Sequence, residues 1–86
     1  MDEFVVYILY SKPSGKTYTG MTSDLITRYQ FHNFKSTKGY TLKYRPWTVI
    51  NVEFFKTKKE ALIRERELKS GKGRDWVKKN ILPTYF

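Results

Sequence analysis

The chain has 86 residues, with 17 Lys and Arg against 8 Asp and Glu, a formal net charge of +9, 17% aromatic residues, one histidine and no cysteine. That length sets a single domain, 1–86, that buries about 60–65% of its unfolded surface, and the residue counts exclude disulfides, thiolate metal sites and the usual His-based zinc sites. With no apolar run long enough to span a bilayer and an acidic start (Asp2, Glu3), the expectation is a cytoplasmic protein without a membrane partner; its positive charge favours nucleic acid, the plain alternative being a soluble basic surface.

Phe4 to Tyr10 is a run of β-branched and aromatic residues, typical of a strand buried on both faces. Pro13, Ser14 and Gly15 form a turn, and Thr17 to Thr19 makes a short second strand; so short a connection makes the pair antiparallel. Gly20 suits a close backbone approach or an unusual dihedral. Thr22 or Ser23 can cap a helix from about Asp24 to His32, with Asp24 well placed for the helix dipole. Leu25, Tyr29 and His32 share one face of it, and Arg28 lies on the flank. Asn33 to Arg45 is polar and basic, contains Gly39, and reads as a mobile loop. Pro46 precedes a third strand, Trp47 to Phe55. Thr57 and Glu60 make a capping box for a helix from about Lys58 to Lys69, whose apolar stripe is Ala61, Leu62 and Leu68. Gly71 and Gly73 end that helix, a short one over Arg74 to Asn80 carries Trp76 and Val77, and Pro83 blocks its extension. This order predicts an α+β layer, a three-stranded sheet covered by helices.

Several residues carry candidate chemistry, each beside a plainer structural role. Glu65 falls on the inward stripe of its helix, and an inward carboxylate is costly unless satisfied. It is a partner of Arg28 in a buried salt bridge, or less buried than its phase suggests, or a metal ligand, since magnesium is often held by one or two carboxylates plus waters and substrate phosphate. Glu67 points elsewhere, so a single-metal site is what the chain can build. Arg28 is a planar phosphate clamp or an ordinary solvent-facing arginine. His32 bonds a nucleophile or leaving oxygen, or answers the dipole at a helix end. Tyr7 and Tyr18 are sheet core with hydroxyls at the rim, or a base. Ionising a phenol at pH 7 costs about 4 kcal/mol, which cations and a metal must offset. Lys69, Lys72, Arg74, Lys78 and Lys79 around Trp76, and Lys35, Lys38, Lys43 and Arg45 in the loop, contact a phosphate backbone or form a solvated charged face.

Taken in order, VVY at Val5–Tyr7, YTG at Tyr18–Gly20, Arg28, His32 and Glu65 give the chain a pattern that resembles the GIY-YIG nuclease superfamily over nearly its whole length. It is most similar to small single-domain members akin to the N-terminal nuclease module of the bacterial nucleotide-excision-repair incision subunit, and the tail LKSGKGRDWVKKN fits them too. The resemblance implies a small three-stranded antiparallel sheet flanked by helices and a DNA endonuclease acting in repair or recombination. It implies that Glu65 holds a single Mg²⁺ or Mn²⁺ and that Arg28 contacts the scissile phosphate. Tyr7 and Tyr18 would position or deprotonate the water, Tyr18 being the better candidate base, with His32 in their network. Gly20 would admit the backbone close to the site, and Asn80 would match an asparagine some members keep near the end of the module. Val5 stands where the first motif has its glycine, and Met21 where several members carry a lysine. These departures keep a second reading open, a catalytically weak or inactive nucleic-acid-binding module of the same fold. A third is an adaptor docking on protein through its aromatic surface. DNA is expected before RNA, and substrate choice falls to the module itself or to a protein partner.

Overall fold

In the computed structural model, which describes residues 4–35 and 40–85, β1 (Phe4–Ser11) is the central strand of a three-stranded antiparallel sheet. It lies between β2 (Lys16–Thr22) and β3 (Thr48–Phe55). Side chains alternate along it, so Val6 and Ile8 enter one core while Val5, Tyr7 and Leu9 enter another. The first core is closed by Ala61 and Leu68 of α3 (Lys58–Lys69) and Val77 of α4 (Gly71–Asn80). The second is built around Trp47, with Leu25 and Tyr29 of α1 (Leu25–Gln30) packed against it. A strand covered on both sides is what the unbroken apolar composition of β1 predicts. The second strand is longer than Thr17–Thr19, because the ladder continues through Gly20 and Met21 to Thr22.

The cap of α1 differs from expectation. Asp24 itself accepts from the Thr27 N–H at 3.2 Å and the Thr27 hydroxyl at 2.8 Å, while the Thr22 hydroxyl accepts from the Asp24 N–H at 3.0 Å. After Gln30 the chain widens into a π-helical turn, Phe31–Lys35, and a short α2 (Tyr40–Lys43) follows. The loop predicted over 33–45 is therefore partly helical and partly core. Asn33 is buried, accepts from the Trp47 N–H at 2.6 Å and donates to the Trp47 carbonyl at 3.0 Å; the Tyr29 hydroxyl donates to the same carbonyl at 2.9 Å. Asn33 thus bonds both backbone groups of Trp47, the residue just before β3 begins. Lys38 and Gly39 lie outside the described residues.

Thr57 caps α3 as predicted, but of the capping box only one half forms, since Glu60 answers the Thr57 hydroxyl and not its backbone N–H. The Glu60 N–H donates to Thr57 Oγ1 at 3.2 Å and the Thr57 hydroxyl donates to Glu60 Oε1 at 3.1 Å. Arg64 forks onto Glu53 at 2.7 and 3.1 Å and ties α3 to β3. The final helix starts at Gly71, earlier than predicted, because Ser70 serves two helices. Its N–H donates to the carbonyls of Arg66 and Glu67, and its hydroxyl accepts from the Gly73 N–H at 3.1 Å. Gly73, read as a helix stop, is a contact point between helices: a Cβ there would collide with the Glu67 carbonyl and the Leu68 backbone.

Candidate active site

The site grows from the pairing of β1 with β2. Tyr7 lies opposite Gly20 and Leu9 opposite Tyr18, so the two tyrosines are diagonal neighbours on one face, ring centroids 6.4 Å apart. Gly20 has an ordinary φ; a Cβ on it would collide with the Tyr7 hydroxyl and ring. Of the two roles the sequence allowed, close approach is the one in use, and what approaches is the phenol. The turn after α1 then delivers His32. Its Nε2 shares a 2.9 Å hydrogen bond with the Tyr7 hydroxyl, and its ring lies 4.8 Å from that of Tyr18. Trp47 backs Tyr18 at 6.3 Å in an edge-on arrangement.

Charged groups surround this aromatic cluster. The exposed Arg28 hydrogen-bonds the Tyr7 side chain from α1. From α3, Glu65 is close enough for its charge to act on Tyr7; its side chain is 18% exposed and pairs with Lys69 Nζ at 3.1 Å. That ammonium also lies 5.9 Å from the centroid of the Tyr18 ring. Tyr7 is not at the rim, as its default role would have it, but only 1% exposed. Burial first, and then the neighbouring Tyr18, push its pKa up to about 12, against the pull of Arg28. Burial, Arg28 and Arg45 hold the pKa of His32 below the ordinary histidine value, so its ring is neutral at pH 7. Tyr7 thus keeps its proton, while half-buried Tyr18 borders an open groove of about 360 Å³ with Thr17, Thr19, Leu68, Lys69 and Arg74.

Among the described residues no three His, Asp or Glu side chains gather as a metal cage. Glu65 alone, half-buried beside that groove, fits the way magnesium is held by one carboxylate with waters and substrate phosphate completing its shell.

The remaining sequence candidates are scattered. Arg45 is half-buried and donates to the His32 carbonyl at 2.5 Å, so it supports the site from behind rather than offering its charge to solvent. Lys43 sits 5.4 Å from the Tyr44 ring, and Lys35, Lys72, Arg74, Lys78 and Lys79 are exposed. Asn80, expected at the site, donates to the Trp76 carbonyl of its own helix at 3.0 Å, and among the described residues no contact ties it to the tyrosines. Sequence reasoning missed Asn33 and Trp47, which hold the turn bearing His32, because a polar run hides a buried asparagine.

A tyrosine pair on adjacent strands, joined by a histidine and flanked by an arginine and a helical glutamate, defines a nuclease-like fold. Residues 3–80 match the GIY-YIG catalytic domain, and the chain belongs to that family. Among its relatives, a UPF0213 protein of Staphylococcus saprophyticus is 40% identical over 70 residues, which is 81% of this chain and 84% of the relative. A UPF0213 protein of Staphylococcus aureus strain Mu3 is 39% identical over the same shares. The solution NMR structure of the UPF0213 protein BH0048 from Bacillus halodurans superposes with a TM-score of 0.55 at 30% identity, covering 90% of this chain and 83% of that one.

Proposed function

We propose that this domain is a Mg²⁺- or Mn²⁺-dependent endonuclease that hydrolyses DNA phosphodiester bonds, with Glu65 as the protein ligand of a single ion. The observation that carries this reading is the convergence of Tyr7, Tyr18, His32, Arg28 and Glu65, which five different elements bring to one spot. When bound, the ion supplies positive charge to the phosphate and to the leaving 3′ oxygen. Tyr18 borders the groove and is the base that orients the attacking water and takes its proton, with the Lys69 ammonium beside its ring. Tyr7 and neutral His32, bonded to each other, hold the Tyr18 ring from below. Arg28, exposed at the rim, donates to the phosphoryl oxygens as charge builds there. DNA is preferred to RNA, a protein partner refines the choice of substrate, and a cytoplasmic role in repair or recombination fits this chemistry.

Met21 supports a second reading. It is packed against the helix-side core, and no ammonium stands at that position. On this reading the domain binds nucleic acid in a salt-sensitive way and does not cut. Incubating the protein with supercoiled plasmid and with branched DNA, with and without Mn²⁺ across a salt series, separates the two. The nuclease reading expects Mn²⁺-dependent nicking that Glu65→Ala abolishes while leaving the fold intact. Nicking retained by pure Glu65→Ala overturns the assignment of the ion, and binding without nicking selects the second reading.

A further inference from the structure

Three charged residues share one stripe of α3. Lys58, Glu65 and Lys69 are spaced i, i+7 and i+11, which returns to the same face after two and three turns. The helix packs along β1 and β2 and runs opposite to β2. Lys58 shares a groove with Met21 and Thr22 at the end of β2, whereas Lys69 shares one with Thr17, Tyr18 and Thr19 near its start. Each end opens into a groove. One is the groove of about 360 Å³ that holds Lys69 and Arg74; the other, of about 300 Å³, holds Lys58 and Arg28. Among the described residues each groove is lined by two cations and no acid. Glu65 stands between them, about 10 Å along the helix from Lys58 and about 6 Å from Lys69.

We propose that Lys58 forms a second subsite for backbone phosphate, beyond the scissile phosphate that Arg28 holds and on the opposite side of Glu65 from Lys69 and Arg74, so that a nucleic-acid strand lies along β2 and is held at both ends. This rests on the nucleic-acid reading above. Successive phosphates of one strand rise about 3.4 Å along the duplex axis while also winding round it, so the rise of about 16 Å along α3 between the two lysines takes in only a few nucleotides. Anchoring on both sides fixes the register of the linkage between them, which a single cationic cluster would leave free to swing. The position of Lys58 is poor for the helix itself, because a cation in the first turn opposes the dipole. Lys78 and Lys79 line neither groove.

The test is fluorescence anisotropy with a short labelled DNA duplex across a KCl series, comparing the wild type with Lys58→Gln, Arg74→Gln and the double variant Lys78→Gln/Lys79→Gln. Lys58→Gln is expected to fold at least as well as the wild type. It should lower the slope of log K against log salt by about 0.9, as Arg74→Gln does, while the double variant leaves the slope unchanged. A wild-type slope in Lys58→Gln beside a reduced one in Arg74→Gln removes this subsite and leaves the DNA reading standing; a flat slope in the wild type removes both. Single neutral methylphosphonate linkages then locate the contacts. Lys58→Gln and Arg74→Gln should each become insensitive to a different linkage, on opposite sides of the centre. Insensitivity to the same linkage overturns the two-ended track.

Discussion

Gly20 is the floor beneath the Tyr7 phenol. The two residues are paired across β1 and β2, and the hydroxyl and ring of Tyr7 occupy the room a Cβ on residue 20 would need. Gly20→Ala must therefore push the phenol aside or part the strands. Overpacking of this kind costs about 1–3 kcal/mol. The expected result is a lower urea midpoint together with loss of the Tyr7–His32 hydrogen bond, seen as a shift of the His32 ring resonances. Because the hydroxyl is the nearest atom, adding Tyr7→Phe to the alanine variant should recover part of the loss. Two losses that simply add would mean that the two side chains do not compete for that space.

Much of this was legible in the chain. Strands, helices and the face shared by Leu25, Tyr29 and His32 follow from local periodicity. Glu65 was found because a charge on an apolar stripe is conspicuous. What stayed hidden depends on contacts far apart in sequence. Asn33 is an ordinary loop residue until Trp47 arrives to be clamped. Gly73 looks like a terminator until Leu68 packs against it, and Arg45 looks like a surface cation until its Nε finds the His32 carbonyl. The burial of Tyr7 was equally unreadable, since an alternating pattern tells which face a tyrosine takes and not how deep its hydroxyl lies.

Asn33 should matter more for stability than a loop residue does. Asn33→Ala removes the acceptor of the Trp47 N–H and one of two donors to the Trp47 carbonyl, which keeps the Tyr29 hydroxyl. Leaving that N–H unsatisfied costs about 1–3 kcal/mol. We expect a destabilisation of about 1–3 kcal/mol in urea unfolding, with disorder of the turn that carries His32. A change under about half a kcal/mol would be that of an exposed loop and would contradict the clamp.

Tyr7 should give the protein an alkaline limit. Its folded pKa of about 12 lies above the ordinary phenol value near 10. A pKa raised on folding contributes stability that is complete below about pH 10 and is lost as the pH climbs toward 12, when the unfolded chain ionises first. The full loss is about 2–3 kcal/mol. Urea unfolding across this range should show the fall in the wild type and a weaker one in Tyr7→Phe. Equal falls in the two proteins would assign the effect to other groups.

His32 carries the opposite sign. Its folded pKa lies below the usual histidine value, chiefly through burial, so its contribution is present above about pH 6.5 and disappears as the pH drops through the folded value. The ring protons should titrate with a midpoint lower than that of a free histidine, and Tyr7–His32 pairing should fail together with protonation. A midpoint at or above the free value would mean that the ring is hydrated and charged in the fold.

On the single-ion proposal, Lys69 sits where an ion on Glu65 would have to compete with it. The ammonium is already 3.1 Å from the carboxylate, and it is 51% exposed, so it is held by little besides this pair and the Tyr18 ring. If Glu65 is the ligand, a dication entering about 5 Å from that ammonium in water-like surroundings is opposed by roughly 1–2 kcal/mol, about a tenfold effect on affinity. Lys69→Met should therefore bind Mn²⁺ about tenfold more tightly without DNA, while its affinity for DNA falls because a groove cation is gone. Those opposite movements are the signature. Calorimetric Mn²⁺ titration measures the first and anisotropy the second. In a Glu65→Gln background the gain in Mn²⁺ affinity should vanish, because the carboxylate over which lysine and ion compete is no longer there. A gain that persists without the carboxylate would place the ion elsewhere.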